Sequence, residues 1–194
     1  CHQSLSLHGS NRNNNDQVCA LCHNPRNTDR EVRTVAANPP TDGKDEESLH
    51  LKTMVHAIHA AGMRESPLQV VGFQGRTTYV YDEEHVQYPG DLSNCASCHV
   101  GDSYALPLPA GALATTVDTG SDHEDPSDDL TDTPMAAACS SCHDSQGARA
   151  HMISTGGALF AAPLAEAEAA VESCDVCHGN GASAGVDLVH PGLR

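Results

Sequence analysis

The chain has 194 residues with no Trp, two Phe and four Tyr, 39% hydrophobic residues, and a formal charge of −16 from 10 basic and 26 acidic side chains. The length marks one domain, but so few large aromatics cannot fill an ordinary core, so some other mass must occupy the interior. With Lys44 and Lys52 the only lysines, nucleic acid and anionic membrane surfaces are poor partners, and no apolar run approaches the roughly 20 residues of a membrane-spanning helix.

The chain opens on Cys1-His2, and residues 19–23 read Cys-Ala-Leu-Cys-His. The same five-residue pattern returns as Cys95, Cys98, His99; as Cys139, Cys142, His143; and as Cys174, Cys177, His178. C-x-x-C-H is the attachment signature of c-type haem. The two thiols add across the porphyrin vinyls, and the adjacent histidine becomes an axial ligand. Zinc held by paired cysteines, redox dithiols and disulfides give no reason for a histidine directly after each second cysteine, yet all four pairs have one. Cys1-His2 reads as a fifth site cut short; the competing reading is the lipidated first residue of a lipoprotein. All nine cysteines are then cofactor-binding: Cys1, Cys19, Cys22, Cys95, Cys98, Cys139, Cys142, Cys174 and Cys177. Five covalent haems in 194 residues supply the missing aromatic mass. The expected fold is therefore a multihaem c-type cytochrome: mostly irregular loops with a few short helices and a small β-hairpin packed around haems, unable to form without them. Such haem is attached outside the cytoplasm, so the protein is expected in the periplasm or at the cell exterior, as a mature form or fragment whose signal peptide has been removed.

Along the chain, Asn24-Pro25 ends any helix at His23. Residues 39–47 read as a polar linker, and Ser48 as the cap of a helix over residues 49–61 stopped by Gly62. Within it His56 and His59, spaced i and i+3, share a face. Residues 68–81 read as a β-hairpin turning at Gln74-Gly75. Residues 101–134, with Asp118, Asp122, Glu124, Asp125, Asp128, Asp129 and Asp132, read as a solvated acidic loop; calcium is the sharper alternative, but EF-hand spacing is absent. Residues 162–173 read as a short helix with Pro163 near its start, leading to Cys174.

Thirteen histidines exceed what the motifs use. His2, His23, His99, His143 and His178 belong to the Cys-His sites; His8, His56, His59, His151 and His190 are the candidate distal ligands. Met152 rivals His151, and His50, His85 and His123, in more polar surroundings, rank lower. Two imidazoles on one iron lower its potential relative to a thioether ligand. Because His56 and His59 point the same way from one helix, they cannot straddle one macrocycle, and two haems are expected side by side against that turn. His8 is too near His2 in sequence to close the same ring and is expected on a neighbouring haem.

Leu7-His8-Gly9 with Asn11-Arg12 between two haem sites, Asn24-Pro25 after His23, Met54-Val55-His56-Ala57-Ile58-His59, Tyr88-Pro89 before Cys95, Leu106-Pro107-Leu108-Pro109 after His99, Ala150-His151-Met152 and Val189-His190 together resemble the outer-membrane decahaem cytochromes of metal-reducing bacteria, the OmcA/MtrC type, and in particular their C-terminal pentahaem domain. The resemblance spans nearly the whole chain. It implies closely packed bis-histidine haems passing electrons at the cell surface to minerals, flavins or other cytochromes, with other redox proteins or cytochrome subunits as partners and a homo-oligomer or filament as an open assembly. Carried over, the distal ligands are the same five histidines. The expected function is an electron conduit, not an enzyme, although terminal metal reduction is open to it. The rival from another class is a multihaem reductase of a small oxyanion or nitrogen compound. A reductase or a haem-based gas sensor needs an iron with an open position, whereas every motif here ends in His and spare histidines outnumber the haems.

Overall fold

The computed structural model describes residues 2, 4–13 and 16–190. The described chain is mainly turns and loops, punctuated by short elements. They are β1 (Ser6–Leu7), β2 (Arg12–Asn13), α1 (Asp16–Cys22), α2 (Arg30–Arg33), α3 (Leu51–His59), β3 (Leu68–Val71), β4 (Thr78–Tyr81), β5 (Thr115–Asp118), β6 (Leu130–Asp132), α4 (Pro134–Ser140), α5 (Gln146–Gly156), β7 (Ala162–Pro163), α6 (Leu164–Ala169), α7 (Asp175–His178) and α8 (Val186–Val189). The strands form small antiparallel sheets: β1 with β2, β3 with β4, and β5-β6-β7. Few short helices, small sheets and extensive loop are the architecture expected from the composition. Among the described residues no helix is long and apolar enough to cross a membrane.

Local chemistry explains the longer elements. Along α3, Leu51, Met54 and Ile58 recur on one face, and Met54 and Ile58 pack with Leu49 and Tyr81 against the buried Ala57, Leu68 and Val70. The helix begins two residues later than expected because Ser48 is not its cap. Ser48 is buried and bridges to Thr28 as an isolated antiparallel pair, and its Oγ accepts from His50 N at 3.3 Å. The hairpin pairs Leu68 with Tyr81 and Val71 with Thr78, and Gln74 (φ 63°) and Gly75 (φ 66°) both take the left-handed conformation in its turn. Gly75 is required on a second count, since a Cβ there would stand 2.9 Å from the Val35 carbonyl oxygen. Ser145 caps α5 by accepting from Ala148 N, and Gly157 (φ 68°) ends it in the left-handed conformation.

The acidic segment 101–134 departs from expectation: it contains β5 and β6, and Asp129 and Asp132 are buried. The reason is its threonines. Thr115, Thr116, Thr119, Thr131 and Thr133 are each at most 1% exposed, and each hydroxyl has a partner: His50 Nδ1, Asp129, Glu46, the Ala162 carbonyl and Glu172 respectively. Residues 39–47 are likewise clasped rather than free. Buried Arg33 donates to Asp29 at 2.7 Å and to both oxygens of Asp42 at 2.9 and 3.0 Å, while buried Glu46 accepts from Thr119 N and Oγ1. Asp29 also accepts from Glu47 N and Val71 N at 2.7 and 2.8 Å. Burial works against charge on Arg33 and Asp42, but their bond overrides it, raising the guanidinium above and lowering the carboxyl below their ordinary values. Residues 162–173 hold the helix α6 only over 164–169; Ala162–Pro163 are recruited instead as the third strand beside β6.

Candidate metal centres

Every complete motif is closed by the same hydrogen bond. The histidine N–H donates to the carbonyl of the first cysteine, four residues back, at 2.8 Å (His23 to Cys19), 2.9 Å (His99 to Cys95), 2.8 Å (His143 to Cys139) and 2.9 Å (His178 to Cys174). One helical turn thereby brings both thiols and the imidazole, at i, i+3 and i+4, to a common face. Different elements supply that turn: the end of α1, the isolated turn Cys95–Ser97, the end of α4, and α7.

Ten of the thirteen histidine rings then meet in pairs. His2 faces His59 with centroids 6.0 Å apart, His8 faces His23 at 6.0 Å, His56 faces His99 at 5.9 Å, His143 faces His190 at 6.1 Å, and His151 faces His178 at 6.1 Å. Each pair joins one Cys-His site to one of the five other histidines singled out in the sequence. Two imidazoles bound through one nitrogen each to a single metal, at about 2 Å, have centroids about 6 Å apart. The residues therefore fit a six-coordinate iron whose remaining four positions a porphyrin would fill. His56 and His59 face different partners, and His8 faces His23 rather than His2. Cys1, the remaining attachment residue proposed from the sequence, lies outside the described residues.

The second ring nitrogen of several members is held from behind. Nδ1–H of His23 donates to Leu49 O at 2.9 Å, of His59 to Val55 O at 2.8 Å, of His178 to Ala184 O at 2.8 Å, and of His190 to Val186 O at 3.0 Å. These bonds fix the tautomer and leave Nε2 with its lone pair free for a metal. His99 Nδ1 instead lies 3.2 Å from Ser103 Oγ, and His56 Nδ1 is buried with no partner. Burial first, then the charges of His99, Lys52 and His59, pushes His56 down to about 4, so the ring is neutral at pH 7, as a ligand must be.

The elements carrying the pairs are pinned together. Lys52 on α3 donates to the Leu113 and Pro134 carbonyls at 2.9 and 3.0 Å, tying α3 to the start of α4; burial pushes its ammonium down to about 8. Glu172 caps α4 by accepting from Met135 N, Ala136 N and Thr133 Oγ1, each at 2.7 Å. Arg64 donates to the Ser141 carbonyl and pairs with Asp144, which also accepts from Glu65 N and Ser66 N. Gly156 is a seat for Cys174: a Cβ there would stand 3.0 Å from its Sγ. Beside His59 opens a cavity of about 640 Å³ lined by Met63, Val86, Tyr88 and Leu92 among others, a size suited to a cofactor.

Other chemistries fit less well. Burial raises the Cys139 thiol to about 11 and also raises Cys95, Cys142 and Cys174 above the ordinary value. None of the eight described cysteines is in a disulfide. Among the described residues no group of three or more His, Cys, Asp or Glu gathers as a metal cage. In the acidic segment Asp118, Asp122, Asp125 and Asp128 are turned onto backbone amides of Gly120, Glu124, Ser127 and Ser121. The three histidines ranked lower stand outside the pairs: His50 bonds Thr115 Oγ1, His85 pairs with Asp82, and His123 has a buried Nδ1 without partner.

The carbonyl acceptors and Gly156 are not among the site residues read from the sequence, and Tyr88, quoted there only within Tyr88-Pro89, lies with its ring edge-on to His59 at 5.7 Å. Of these only the Val55 and Val186 acceptors carry a sequence signal, four residues before a histidine near a helix end.

Residues 1–191 match a family model described as outer membrane cytochrome MtrC/MtrF-like, domains II/IV. No curated protein matches the chain significantly.

Proposed function

The chain belongs to the MtrC/MtrF-like outer membrane cytochromes, and from that membership we propose that it is a pentahaem electron conduit built on five bis-histidine centres. The family is one of c-type haem cytochromes of the outer membrane that serve extracellular electron transfer, which sets the localisation and the class of partner. The observation that carries the finer reading is the set of five ring pairs at 5.9–6.1 Å. In it Cys19 with Cys22, Cys95 with Cys98, Cys139 with Cys142, and Cys174 with Cys177 would hold four haems by thioethers, and Cys1 would attach a fifth. His2 with His59, His23 with His8, His99 with His56, His143 with His190 and His178 with His151 would hold the irons, one pair to each. Haem c, when bound, supplies one-electron ferric–ferrous chemistry.

The protein's own side chains do the rest. Two histidines held to each iron would leave it no position for a substrate and so would favour electron transfer. The motif turns hold the thiols and one imidazole on one face. Apolar side chains in and beside the motifs, Leu21, Val100 and Val176, present 76%, 89% and 73% of their surface outward, where a macrocycle would cover them. Neighbouring redox proteins deliver electrons, and minerals, flavins or other cytochromes take them. The family description covers domains II and IV alike, so placing the chain as the C-terminal one is part of the proposal. Association into an oligomer or filament has no support and forms no part of it.

Intact mass spectrometry of the denatured holoprotein should show five haems; a mass corresponding to four removes Cys1-His2. All irons should be low-spin in both redox states. His56→Ala and His59→Ala should each open one site, on different haems, while leaving the others low-spin. A wild-type haem that is high-spin and binds carbon monoxide at neutral pH would favour the reductase instead.

A further inference from the structure

The five pairs are not equivalent in what stands behind them. In four, one ring nitrogen donates to a main-chain carbonyl: His59 to Val55, His23 to Leu49, His190 to Val186 and His178 to Ala184. The fifth pair, His56 with His99, has no such bond. His56 Nδ1 is buried without any partner, and His99 Nδ1 meets only the Ser103 hydroxyl, at 3.2 Å. A carbonyl is a fixed acceptor, whereas a hydroxyl rotates and is as able to donate as to accept.

That difference acts on the metal. A carbonyl accepting from Nδ1–H pushes electron density into the ring and makes Nε2 a stronger donor, which favours the more positive ferric state. Second-shell hydrogen bonding and burial are among the levers by which a protein sets haem potential. Where the push is missing, ferrous iron is relatively favoured. A second observation points the same way. Lys52 lies one helical turn before His56 on α3 and is held in place by the Leu113 and Pro134 carbonyls. A cation on that side opposes positive charge at the neighbouring centre.

We propose that the His56–His99 pair holds the haem of highest reduction potential in this domain, so that His56, His99 and Ser103 define its electron-resting site. This deepens the conduit reading and rests on its bis-histidine pairing. One electron, from the redox protein that feeds the domain, is gained at that site and later passed on; no bond forms or breaks. His59, three residues along the same helix, ligates a centre with a carbonyl-backed ring and hence a lower potential. The turn of α3 between them is therefore a downhill step toward His56 for an incoming electron and an uphill step on release, and the resting site meters departure.

The test is a spectropotentiometric titration of intact holoprotein, wild type against Ser103→Asp and Ser103→Asn. Ser103 is exposed, so both variants keep the packing of the fold. Ser103→Asp sets a carboxylate behind His99 Nδ1. The first haem to be reduced in the wild type should then become harder to reduce, its ferrous-to-ferric ratio at the wild-type midpoint falling several-fold while the later steps hold. Ser103→Asn, a neutral acceptor, should move the same step in the same direction by less. A shift confined to a later step, or no shift, overturns the proposal. Spin state separates the two levels of failure. Low-spin irons with the wrong step moving overturn the ranking alone. A high-spin wild-type centre overturns the bis-histidine reading and the ranking with it.

Discussion

The hub around Asp29 and Arg33 and the turns that carry the Cys-His motifs are built by opposite rules. In the hub, charged and hydroxyl groups are buried and satisfied by one another: Asp29, Arg33, Glu46 and the threonines of β5 and β6 are under 9% exposed. In the motif turns, apolar side chains such as Leu21 and Val176 point outward while the imidazoles meet in pairs. The chain thus buries its polar groups against one another in the hub and leaves apolar surface at the motifs. A protein with two phenylalanines and no tryptophan has little choice. Its hydrophobic mass must come from bound porphyrin, and the protein between the porphyrins must hold together by hydrogen bonds.

The sharpest way to break the contrast is to damage the hub. Asp29→Ala removes the acceptor of Arg33, Glu47 N and Val71 N and leaves a buried guanidinium short of a partner. It should destabilise the protein by about 3–5 kcal/mol, read as a lower denaturant midpoint. Near-normal stability would mean that haem contacts alone hold the fold. Next in size is Glu172→Ala, which uncaps α4; a loss of about 1–2 kcal/mol is expected, together with weakened attachment at Cys139. Peptide mapping of the thioethers checks the second effect.

A smaller change probes the motif side. Gly156→Ala drives a Cβ toward Cys174 Sγ and should cost about 1 kcal/mol. The distinguishing readout is the fraction of the Cys174/Cys177 peptide carrying two thioethers, which should fall while the other motifs load normally. The least effect is expected from pH. Burial first, then Lys52, pushes His50 from 6.5 down to about 4. As pH falls from 6.5 toward 4, the unfolded chain takes up a proton that the folded ring refuses, so stability is full above this window and declines through it. His50→Gln should flatten that slope in denaturation curves recorded at pH 7.5 and 5. Because the ring is only half-buried, solvent moderates the effect.

The sequence announced the motif turns far better than the hub. C-x-x-C-H is legible because covalent chemistry dictates the spacing, and the helix with His56 and His59 and the hairpin at Gln74-Gly75 follow from local periodicity and turn residues. The hub is hidden within a linker reading of residues 39–47 and a solvated-loop reading of residues 101–134, which holds for Asp122, Glu124, Asp125 and Asp128 but not for the buried Asp129 and Asp132. Asp, Glu and Thr have the composition of solvated chain, and only distant partners show that Glu46 meets Thr119 or that Asp29 meets Val71. Ser48 was misjudged for the same reason, its cross-chain bridge to Thr28 outweighing a local capping role. Nor does sequence separation reveal which histidine rings meet. His56 finds His99 and His59 finds His2, pairings between segments that only the folded chain brings together.

On the proposed conduit reading, the placement of His56 and His59 on one helix also bears on tunnelling. Electron transfer between centres falls off steeply with distance, and most distances in so loop-rich a chain are set by irregular segments. The separation of His56 and His59 is set instead by helical pitch, about 4.5 Å along the axis for three residues. Helix α3 is a ruler between the two rings: its hydrogen-bonded turn fixes the spacing of His56 and His59 independently of the loops around it. The same rigidity makes the span intolerant of insertion. One added residue between the two histidines would turn one ring about 100° away from its partner and break the path at a single point.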